Sequence, residues 1–354
     1  MADQNAGYIG FACAYTPLAL IHSAGYVPYR ILPLGDSPES AGQVLNDNLC
    51  PHVKRLLDRA MDRDCDLPNL DGVVFVASCD AMRRLADAWP RVRPQDRTTM
   101  IDMPVAEDDS SVTFLAGELS RLTETLAEWG GRKATDADIR ESVGLYNSLA
   151  GLLESIRSKN YCGNLDGGAS KLQDLYNKAS TWPVQESIRL VEAVSNQPDI
   201  SNATNNMVPI YLFGNVLPDP SALSLFESCG VRIVGEDLCT GSRVFQPLSV
   251  DGLEDPLRQL AAEILGGHRC ARTLDVSHPG TIEEEVVARA EACNARGVIA
   301  HAVKFCDPYF ARLPLVRDGL REAGLPLLTI EGDCSMGSFG QQKTRIEAFV
   351  EMLR

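Results

Sequence analysis

Residues 71–89, DGVVFVASCDAMRRLADAW, carry the pattern that decides the fold. The run DGVVFVAS (71–78) is short, apolar and β-branched, which is typical of a buried strand, and RRLADAW after it is predicted to be helical. TTMID (98–102) is the next predicted strand. A strand, a helix and a second strand in this order indicate a parallel sheet that is covered by helices.

The same pattern returns near the C-terminus. GVIAHAVKFCDPYFARL (297–313) is again a strand that runs directly into Cys-Asp and then a helix, and DPSALSLFESCGVRIV (219–234) matches TPLALIHSAGYVPYRI (16–31) in pattern. The identity between the two regions is too low to establish a duplication. Two Rossmann-like lobes that face each other would place the carboxyl ends of their strands around one cleft, where open α/β sheets bind ligands.

The region between these copies has a different pattern. Residues 109–197 have apolar side chains at three- and four-residue spacing and no strand-like run, which predicts a helical subdomain. We therefore expect an α/β protein with two Rossmann-like parallel-sheet lobes, a helical insertion and a ligand in the cleft between the lobes. The predicted domains are an N-terminal lobe at 1–108, a helical subdomain at 109–206 and a C-terminal lobe at 207–354.

Composition excludes several classes of partner. The 354 residues include 48 Asp plus Glu against 33 Lys plus Arg, for a formal net charge of −15, so the chain repels phosphate backbones and nucleic acid is excluded as a partner. No apolar run approaches the length of a membrane span. The N-terminal sequence lacks the basic and apolar regions of a secretory signal, and we expect a cytoplasmic protein.

The eleven cysteines are the most informative residues of the sequence. In a reducing compartment they are not structural disulfides, and no C-x-x-C pair is present, so they are buried small side chains, redox thiols or metal ligands. Cys229 and Cys293 lie on predicted helices and are interpreted as buried side chains, as are Cys65, Cys162 and Cys270.

Six other cysteines fall at predicted strand ends or loops that face the cleft. Thiolates at dispersed positions suit an iron–sulfur cluster, whereas zinc is satisfied by four ligands and usually takes them in close sequence pairs. The chemistry therefore favours an iron–sulfur cluster without excluding zinc. The six candidate metal-binding and cofactor-binding residues are Cys13, Cys50, Cys79, Cys239, Cys306 and Cys334.

Other sequence motifs give less information about function. The sequence has no G-x-S-x-G, no G-x-G-x-x-G and no P-loop, so any ATP that drives a reaction must be bound by another protein. Asp80 and Asp307 follow two of the candidate cysteines, where they either cap a helix or tune a cluster. Arg243 and Lys304 either balance the charge of a cluster or bind substrate phosphate, or they are solvated surface residues.

Several segments, matched in order, resemble the 2-hydroxyacyl-CoA dehydratase / benzoyl-CoA reductase family. The matching segments are GFACAYTPLALIHSAGYVPYRI, LCPHVK, SCDAMRRL, GEDLCTGSR, KFCDPYFARLPLVRDGLREAGLPLLTIEGD and GQQKTRIEAF, and the resemblance extends from residue 10 to the C-terminus. It implies a [4Fe–4S] cluster held by three cysteines, which map to Cys13, Cys79 and Cys306. It also implies a separate ATP-hydrolysing iron–sulfur activator protein that supplies low-potential electrons.

Within that family the sequence is most similar to the double-cubane cluster proteins, which are homodimers. Two cubanes that share one bridging sulfide, an [8Fe–9S] core, require six thiolates, and the resemblance implies that Cys50, Cys239 and Cys334 supply the second three. Many relatives have Tyr at the position of Cys334, so this residue is either a new ligand or an ordinary loop cysteine.

Three functional hypotheses remain open at this stage. The first is an oxygen-sensitive, anaerobic iron–sulfur oxidoreductase that receives electrons from the activator and reduces a small molecule, with no catalytic residue named beyond the cluster. The second is one subunit of a 2-hydroxyacyl-CoA dehydratase, with a single [4Fe–4S] cluster, a dissimilar partner subunit and a CoA-thioester substrate. The third is a non-catalytic electron-transfer or cluster-carrier protein.

Overall fold

A computed structural model describes residues 6–35, 37–200, 206–250, 255–267, 270–273, 281–334 and 339–354. Its described part has two four-stranded sheets in which every pair of neighbouring strands is parallel, together with twelve α-helices. The predicted α/β class with two Rossmann-like lobes is therefore confirmed. Across these residues no helix combines the length and the apolar character needed to cross a lipid bilayer.

The N-terminal lobe alternates strands and helices, as its apolar runs predict. Its second helix begins with Pro51, whose fixed φ angle suits the first position of a helix. The elements of this lobe are β1 (Tyr8–Phe11), α1 (Leu18–Ser23), β2 (Val27–Arg30), α2 (Pro51–Met61), β3 (Gly72–Val76), α3 (Asp80–Val92) and β4 (Arg97–Ile101).

Four helices follow without an intervening strand. The side chain of Asp108 accepts the backbone N–H of Ser111 at the start of the first helix, and Thr135 and Asp138 form a capping box at the start of the second. The helices are α4 (Asp109–Glu128), α5 (Asp136–Tyr161), α6 (Gly168–Ala179) and α7 (Val184–Ser195). The helical region is therefore present, and its limits as a separate domain stay a prediction.

The C-terminal lobe repeats the strand and helix alternation of the first lobe. The apolar runs VPIYLFG (208–214) and GVIAHAV (297–303) predict two strands, and the structure has strands with these bounds. The elements are β5 (Val208–Gly214), α8 (Pro220–Ser228), β6 (Val231–Asp237), α9 (Pro256–Gly266), α10 (Thr281–Ala292), β7 (Gly297–Val303), α11 (Asp307–Glu322), β8 (Leu327–Gly332) and α12 (Phe339–Leu353).

Both sheets have the same strand order. The first is β2-β1-β3-β4 and the second is β6-β5-β7-β8, so each strand of one lobe has a counterpart in the other. Val216 and Val303 of the C-terminal lobe are buried in the same core cluster as Val53 and Phe75 of the N-terminal lobe. The two lobes are thus packed against each other near the carboxyl ends of β5 and β7.

Strand β1 is the element that the sequence pattern misses. It has four residues, YIGF, yet it lies between β2 and β3 in the sheet. A Cβ atom on its Gly10 would come within 2.8 Å of Leu70 Cδ1, so the close packing at this central position favours glycine.

Helix α9 packs across the boundary between two of the predicted domains. Its residues Leu260 and Leu265 belong to the core cluster that contains Leu119 of α4, and Arg258 donates a hydrogen bond to the hydroxyl of Thr113 at 2.8 Å. The helical region is therefore anchored to both lobes.

Candidate functional site

Two of the candidate cysteines occupy equivalent positions in the two lobes. Strand β3 ends at Val76 and β7 ends at Val303, and the cysteine that follows three residues later, Cys79 or Cys306, directly precedes a helix. Because parallel strands present their carboxyl ends at one edge of a sheet, both thiols lie at the edge where such sheets bind ligands.

The aspartates that follow these cysteines are not helix caps. Asp80 and Asp307 are the first residues of α3 and α11, and the N-cap positions are taken by Cys79 and Cys306, which make no side-chain capping bond. The interpretation of the two aspartates as N-caps is therefore wrong. Their carboxylates lie in the first helical turn, where they interact favourably with the helix dipole.

The residue before Cys306 has a strained backbone. Phe305 has a φ angle of 57°, a left-handed conformation that costs a non-glycine residue on the order of 1–2 kcal/mol. Its ring is 46% exposed, and the neighbouring Lys304 is also exposed. Lys304 does not line the cavity that contains Cys306, and its side chain lies at the surface.

Three other candidate cysteines also follow strands or begin a helix. Cys13 comes two residues after β1, and its Sγ donates to the hydroxyl of Ser78 at 3.3 Å. Cys50 directly precedes Pro51 at the start of α2. Cys239 comes two residues after the end of β6.

Asn215 connects two of these cysteines. Its side-chain amide donates to Cys306 Sγ at 3.0 Å, and its backbone carbonyl accepts the N–H of Cys239 at 2.7 Å. Asn215 directly follows Gly214, where a Cβ atom would overlap the carbonyl oxygen of His301 on β7. Glycine at 214 therefore permits the close approach of β5 and β7 that brings Asn215 to Cys306.

The thiols surround one cavity between the two lobes, with a volume of about 110 Å³. This is several times the space that one water molecule needs. Five of the six predicted cysteines line the cavity, and so does Cys270, which the sequence assigns to the ordinary buried side chains. The lining cysteines are Cys13, Cys50 and Cys79 from the N-terminal lobe and Cys239, Cys270 and Cys306 from the C-terminal lobe.

Cys270 is held in place by a residue of the opposite lobe. Its backbone N–H donates to the hydroxyl of Tyr15 at 3.0 Å, and the same hydroxyl lies 2.9 Å from the hydroxyl of Thr273. The guanidinium group of Arg272 lies over the Tyr15 ring, 5.8 Å from its centroid. These contacts fix the 270–273 segment against the N-terminal lobe.

Cys334 is not among the residues that line the cavity. It is 1% exposed and belongs to the core cluster that contains Cys50. The thiols of Cys65, Cys229 and Cys293 contact backbone carbonyls elsewhere in the molecule. Cys162 is exposed, so its interpretation as a buried side chain is wrong.

Cys239 has the most strongly stabilised thiolate in the cavity. Its pKa is lowered to about 6, first because the thiol of Cys270 donates a hydrogen bond to it and also because the guanidinium groups of Arg243 and Arg30 lie nearby. Arg243 Nη1 donates to Cys239 Sγ at 3.2 Å. Two further bonds to Asp237, at 2.5 and 2.9 Å, hold this guanidinium group in place.

Burial has the opposite effect on the other thiols. It raises the pKa of Cys50 to about 11 and that of Cys306 to about 12, and it raises the pKa values of Cys13 and Cys79 as well. These cysteines therefore stay protonated at neutral pH unless a cation replaces their protons, as metal binding does.

The cavity is cationic although the chain as a whole is acidic. Among the described residues that line it there are three arginines, Arg30, Arg243 and Arg272, and no aspartate or glutamate. A site with six soft sulfur donors and buried guanidinium groups suits an anionic, thiolate-bound group.

The sulfur donors are distributed around the cavity wall and are not grouped as the ligands of one metal ion would be. Nowhere in the described ranges do three His, Cys, Asp or Glu side chains come close enough together to hold one metal ion. An iron–sulfur cluster is itself several atoms wide, so its thiolates stand further apart than the ligands of one ion. Six thiols around a cavity can provide three ligands to each of two cubanes.

The sequence has no signal that marks Cys270 as part of the site. The segment HRCART has no strand or helix pattern, and no motif of the second lobe repeats it in the first. Its position depends on Tyr15, which lies 255 residues away in the sequence. A contact of this kind between distant segments is visible only in the folded chain.

Fold and site together define a two-lobed α/β protein with a thiol-lined cavity between its lobes. Residues 13–353 match the model of the family described as 2-hydroxyglutaryl-CoA dehydratase, D-component, and the chain belongs to this family. The resemblance inferred from the sequence motifs is thereby confirmed at the level of the family, which is a family of enzyme subunits.

Similar proteins with assigned activities match over nearly their whole length. The chain is 24% identical to the lactoyl-CoA dehydratase subunit beta of Anaerotignum propionicum, covering 99% of this chain and 93% of that protein. It is 22% identical to the (R)-phenyllactyl-CoA dehydratase beta subunit of Clostridium sporogenes, covering 98% and 91%. It is 23% identical to a subunit of the benzoyl-CoA reductase of Thauera aromatica, covering 100% and 92%.

Proposed function

We propose that this chain is the cluster-binding subunit of an iron–sulfur reductase. It would receive low-potential electrons from an ATP-hydrolysing activator protein and reduce a small molecule at a double-cubane cluster. The observation that carries the proposal is the cavity itself, which is lined by six thiols, three from each lobe, and by three arginines. Membership of a family of dehydratase and reductase subunits supports the same class of chemistry.

The proposed ligand set differs in one residue from the set that the sequence predicts. Cys13, Cys50, Cys79, Cys239 and Cys306 are retained as ligands. The sixth ligand is Cys270 and not Cys334, because Cys270 lines the cavity and hydrogen bonds to Cys239, whereas Cys334 lies outside the lining. Two cubanes with a bridging sulfide would then take one set of three thiolates each from these six.

The residues of this chain have distinct parts in such a site. Asn215 and Arg243 orient the thiols of Cys306 and Cys239 through direct contacts. Val216 and Val303 are buried apolar residues of the cavity wall and exclude water from it. When bound, an iron–sulfur cluster supplies one-electron transfer at low potential.

The proposal assigns ATP hydrolysis and part of the assembly to other chains. No P-loop sequence is present, which supports a separate activator as the ATP-binding component. The relatives are named as subunits, which supports an assembly of more than one chain. We propose a homodimer, and the mass of the purified complex distinguishes this from pairing with a dissimilar subunit.

Iron and acid-labile sulfide content tests this proposal. We compare the anaerobically purified wild type with the variants Cys50→Ala and Cys239→Ala, and use Cys162→Ala, which removes an exposed thiol, as the matched control. The double-cubane proposal predicts a loss of iron in the first two variants and none in the control. Unchanged iron content in both cavity variants would contradict it.

A second function is favoured by the names of the relatives. Two of them are beta subunits of 2-hydroxyacyl-CoA dehydratases, which supports a single [4Fe–4S] cluster, a dissimilar partner subunit and a CoA-thioester substrate. This alternative assigns the cluster to Cys13, Cys79 and Cys306. It therefore expects full iron content in Cys50→Ala and in Cys239→Ala, together with dehydration of a 2-hydroxyacyl-CoA once activator and partner subunit are added.

A further inference from the structure

Arg30 is a buried cation with no carboxylate partner among the described residues. It is 2% exposed, and its Nη2 donates one long hydrogen bond, 3.4 Å, to the carbonyl oxygen of Ala12. Its Nε has no hydrogen-bond partner, and its guanidinium group lies over the ring of Phe11. Arg243, the other fully buried arginine of the cavity, differs because it is paired with Asp237.

His52 lies in the same part of the cavity lining and is also unsatisfied. It is 6% exposed, and neither of its ring nitrogens has a hydrogen-bond partner. A neutral imidazole carries one N–H donor, and Arg30 adds several more. Two buried side chains with free donors therefore face a cavity that is lined by thiols.

Such an arrangement is costly unless an anion occupies the cavity. A charge in a protein interior without a hydrogen-bonded counter-ion loses much of its hydration, and a buried donor without an acceptor adds a further penalty. Arg30 lies where its charge acts on the thiols of both Cys239 and Cys13. An anionic group in contact with these thiols would satisfy both Arg30 and His52.

We infer that Arg30 and His52 form a donor wall that raises the reduction potential of the cluster in this cavity. The inference rests on the proposed function. Reduction adds negative charge to a cluster, and nearby positive charge or N–H donors to its sulfur atoms stabilise the reduced form. Arg30 supplies the charge and His52 supplies a neutral donor, and both act as positioning and tuning residues without binding iron.

The test compares reduction midpoints in variants that keep or remove the donor groups. Arg30→Met removes charge and donors, Arg30→Lys keeps the charge, His52→Phe removes the imidazole donor and His52→Gln replaces it with an amide donor. Arg93→Met is the control, because Arg93 lies at the opposite end of α3 from Cys79, about 20 Å away along the helix. Each full-length protein is prepared anaerobically, assayed for iron and sulfide, and titrated electrochemically with detection of the reduced cluster by electron paramagnetic resonance.

The expected result is a more negative midpoint in Arg30→Met and His52→Phe, a smaller shift in Arg30→Lys and His52→Gln, and no shift in Arg93→Met. Wild-type midpoints in Arg30→Met and His52→Phe, with iron content retained, would overturn the inference. If Arg30→Met loses its iron, the two His52 variants provide the test. A more negative midpoint in His52→Phe than in His52→Gln supports the inference, and a wild-type midpoint in His52→Phe overturns it. Absence of iron from the wild type would instead overturn the proposed function.

Discussion

Asn215 donates a hydrogen bond from its side-chain amide to the sulfur atom of Cys306 across 3.0 Å. The same residue accepts the backbone N–H of Cys239 through its main-chain carbonyl at 2.7 Å and the N–H of Val303 through its side-chain carbonyl at 3.0 Å. A single residue at the end of β5 therefore sets the positions of two thiols and of the end of β7. Asn215 therefore connects Cys306, Cys239 and the end of β7 within the C-terminal lobe.

Replacing Asn215 is expected to weaken both folding and cluster binding. Asn215→Ala leaves the buried N–H of Val303 without its acceptor, which costs about 1–3 kcal/mol in the free energy of unfolding. Asn215→Asp keeps an acceptor for Val303 but places a carboxylate beside the sulfur atom of Cys306. Because this negative charge opposes formation of the thiolate, we expect Asn215→Asp to retain less iron than Asn215→Ala. Iron content and denaturant unfolding of each variant provide the measurement.

Asn147→Ala is the matched control for this prediction. Asn147 makes two side-chain hydrogen bonds of 2.8 Å with the backbone of Leu248, away from the cavity. It should lose stability by a similar amount and keep its iron. Equal iron contents in the variants at 215 and 147 would show that Asn215 has no specific part in the site.

Cys270 and Cys334 provide a direct comparison of two candidate ligands. We expect Cys270→Ser to lose at least one cubane, about half of the iron, because three thiolates hold each cubane in the proposed set. Cys334→Ser should keep wild-type iron, since its thiol is buried outside the cavity lining. Retention of iron by Cys270→Ser together with loss by Cys334→Ser would contradict the assignment.

The Arg243–Asp237 pair should stabilise the fold as well as orient Cys239. Both side chains are nearly fully buried, and Arg243→Met removes the nearest guanidinium group from the Asp237 carboxylate, while that of Arg289 lies further away, at 3.7 Å. We expect a loss of about 3 kcal/mol in the free energy of unfolding of the metal-free protein. The double variant Arg243→Met/Asp237→Asn should recover part of this loss, and a purely additive result would show that the two residues do not interact.

Acid should destabilise the metal-free protein in part through His301. This residue is fully buried in β7, and burial lowers its pKa to about 4 despite the opposing effect of Asp333. In the unfolded chain a histidine has a pKa of about 6.5. Between that pH and about pH 4, His301 is therefore protonated in the unfolded chain and neutral in the folded chain. The free energy of unfolding then falls by up to about 1.4 kcal/mol for each pH unit of acidification.

The variant His301→Gln isolates this contribution. It should lose less stability than the wild type between pH 7 and pH 4, with each protein compared with its own value at pH 7. Carboxylates titrate in the same range in both proteins and cancel in the comparison. Parallel pH profiles for the two proteins would contradict the assignment of a buried, neutral His301.

The fold could be predicted from sequence wherever burial leaves a clear pattern. β5 and β7 are covered on both faces, so apart from the buried His301 they are apolar runs, and the bounds 208–214 and 297–303 of these runs are those of the strands in the structure. β1 has only four residues, including Gly10, and its place in the sheet depends on pairing with β2 and β3. Such tertiary pairing leaves no signal in a short local sequence.

The site was predictable to the extent that cysteines follow strands. Cys79 and Cys306 could be placed because each follows a recognisable strand, and the same strand, Cys-Asp and helix pattern in both lobes supports the two placements. Cys270 could not, because its position depends on Tyr15, and neither Arg30 nor His52 has a sequence pattern that marks its burial without a partner. The charge of the cavity is therefore a property of the folded chain.

Quantification of iron, acid-labile sulfide and zinc in the anaerobically purified wild-type protein tests the central claim most directly. The account predicts about eight irons per chain, with sulfide in a similar amount and no stoichiometric zinc. Fewer than about four irons per chain would contradict the double-cubane assignment. Zinc alone would contradict the iron–sulfur account as a whole.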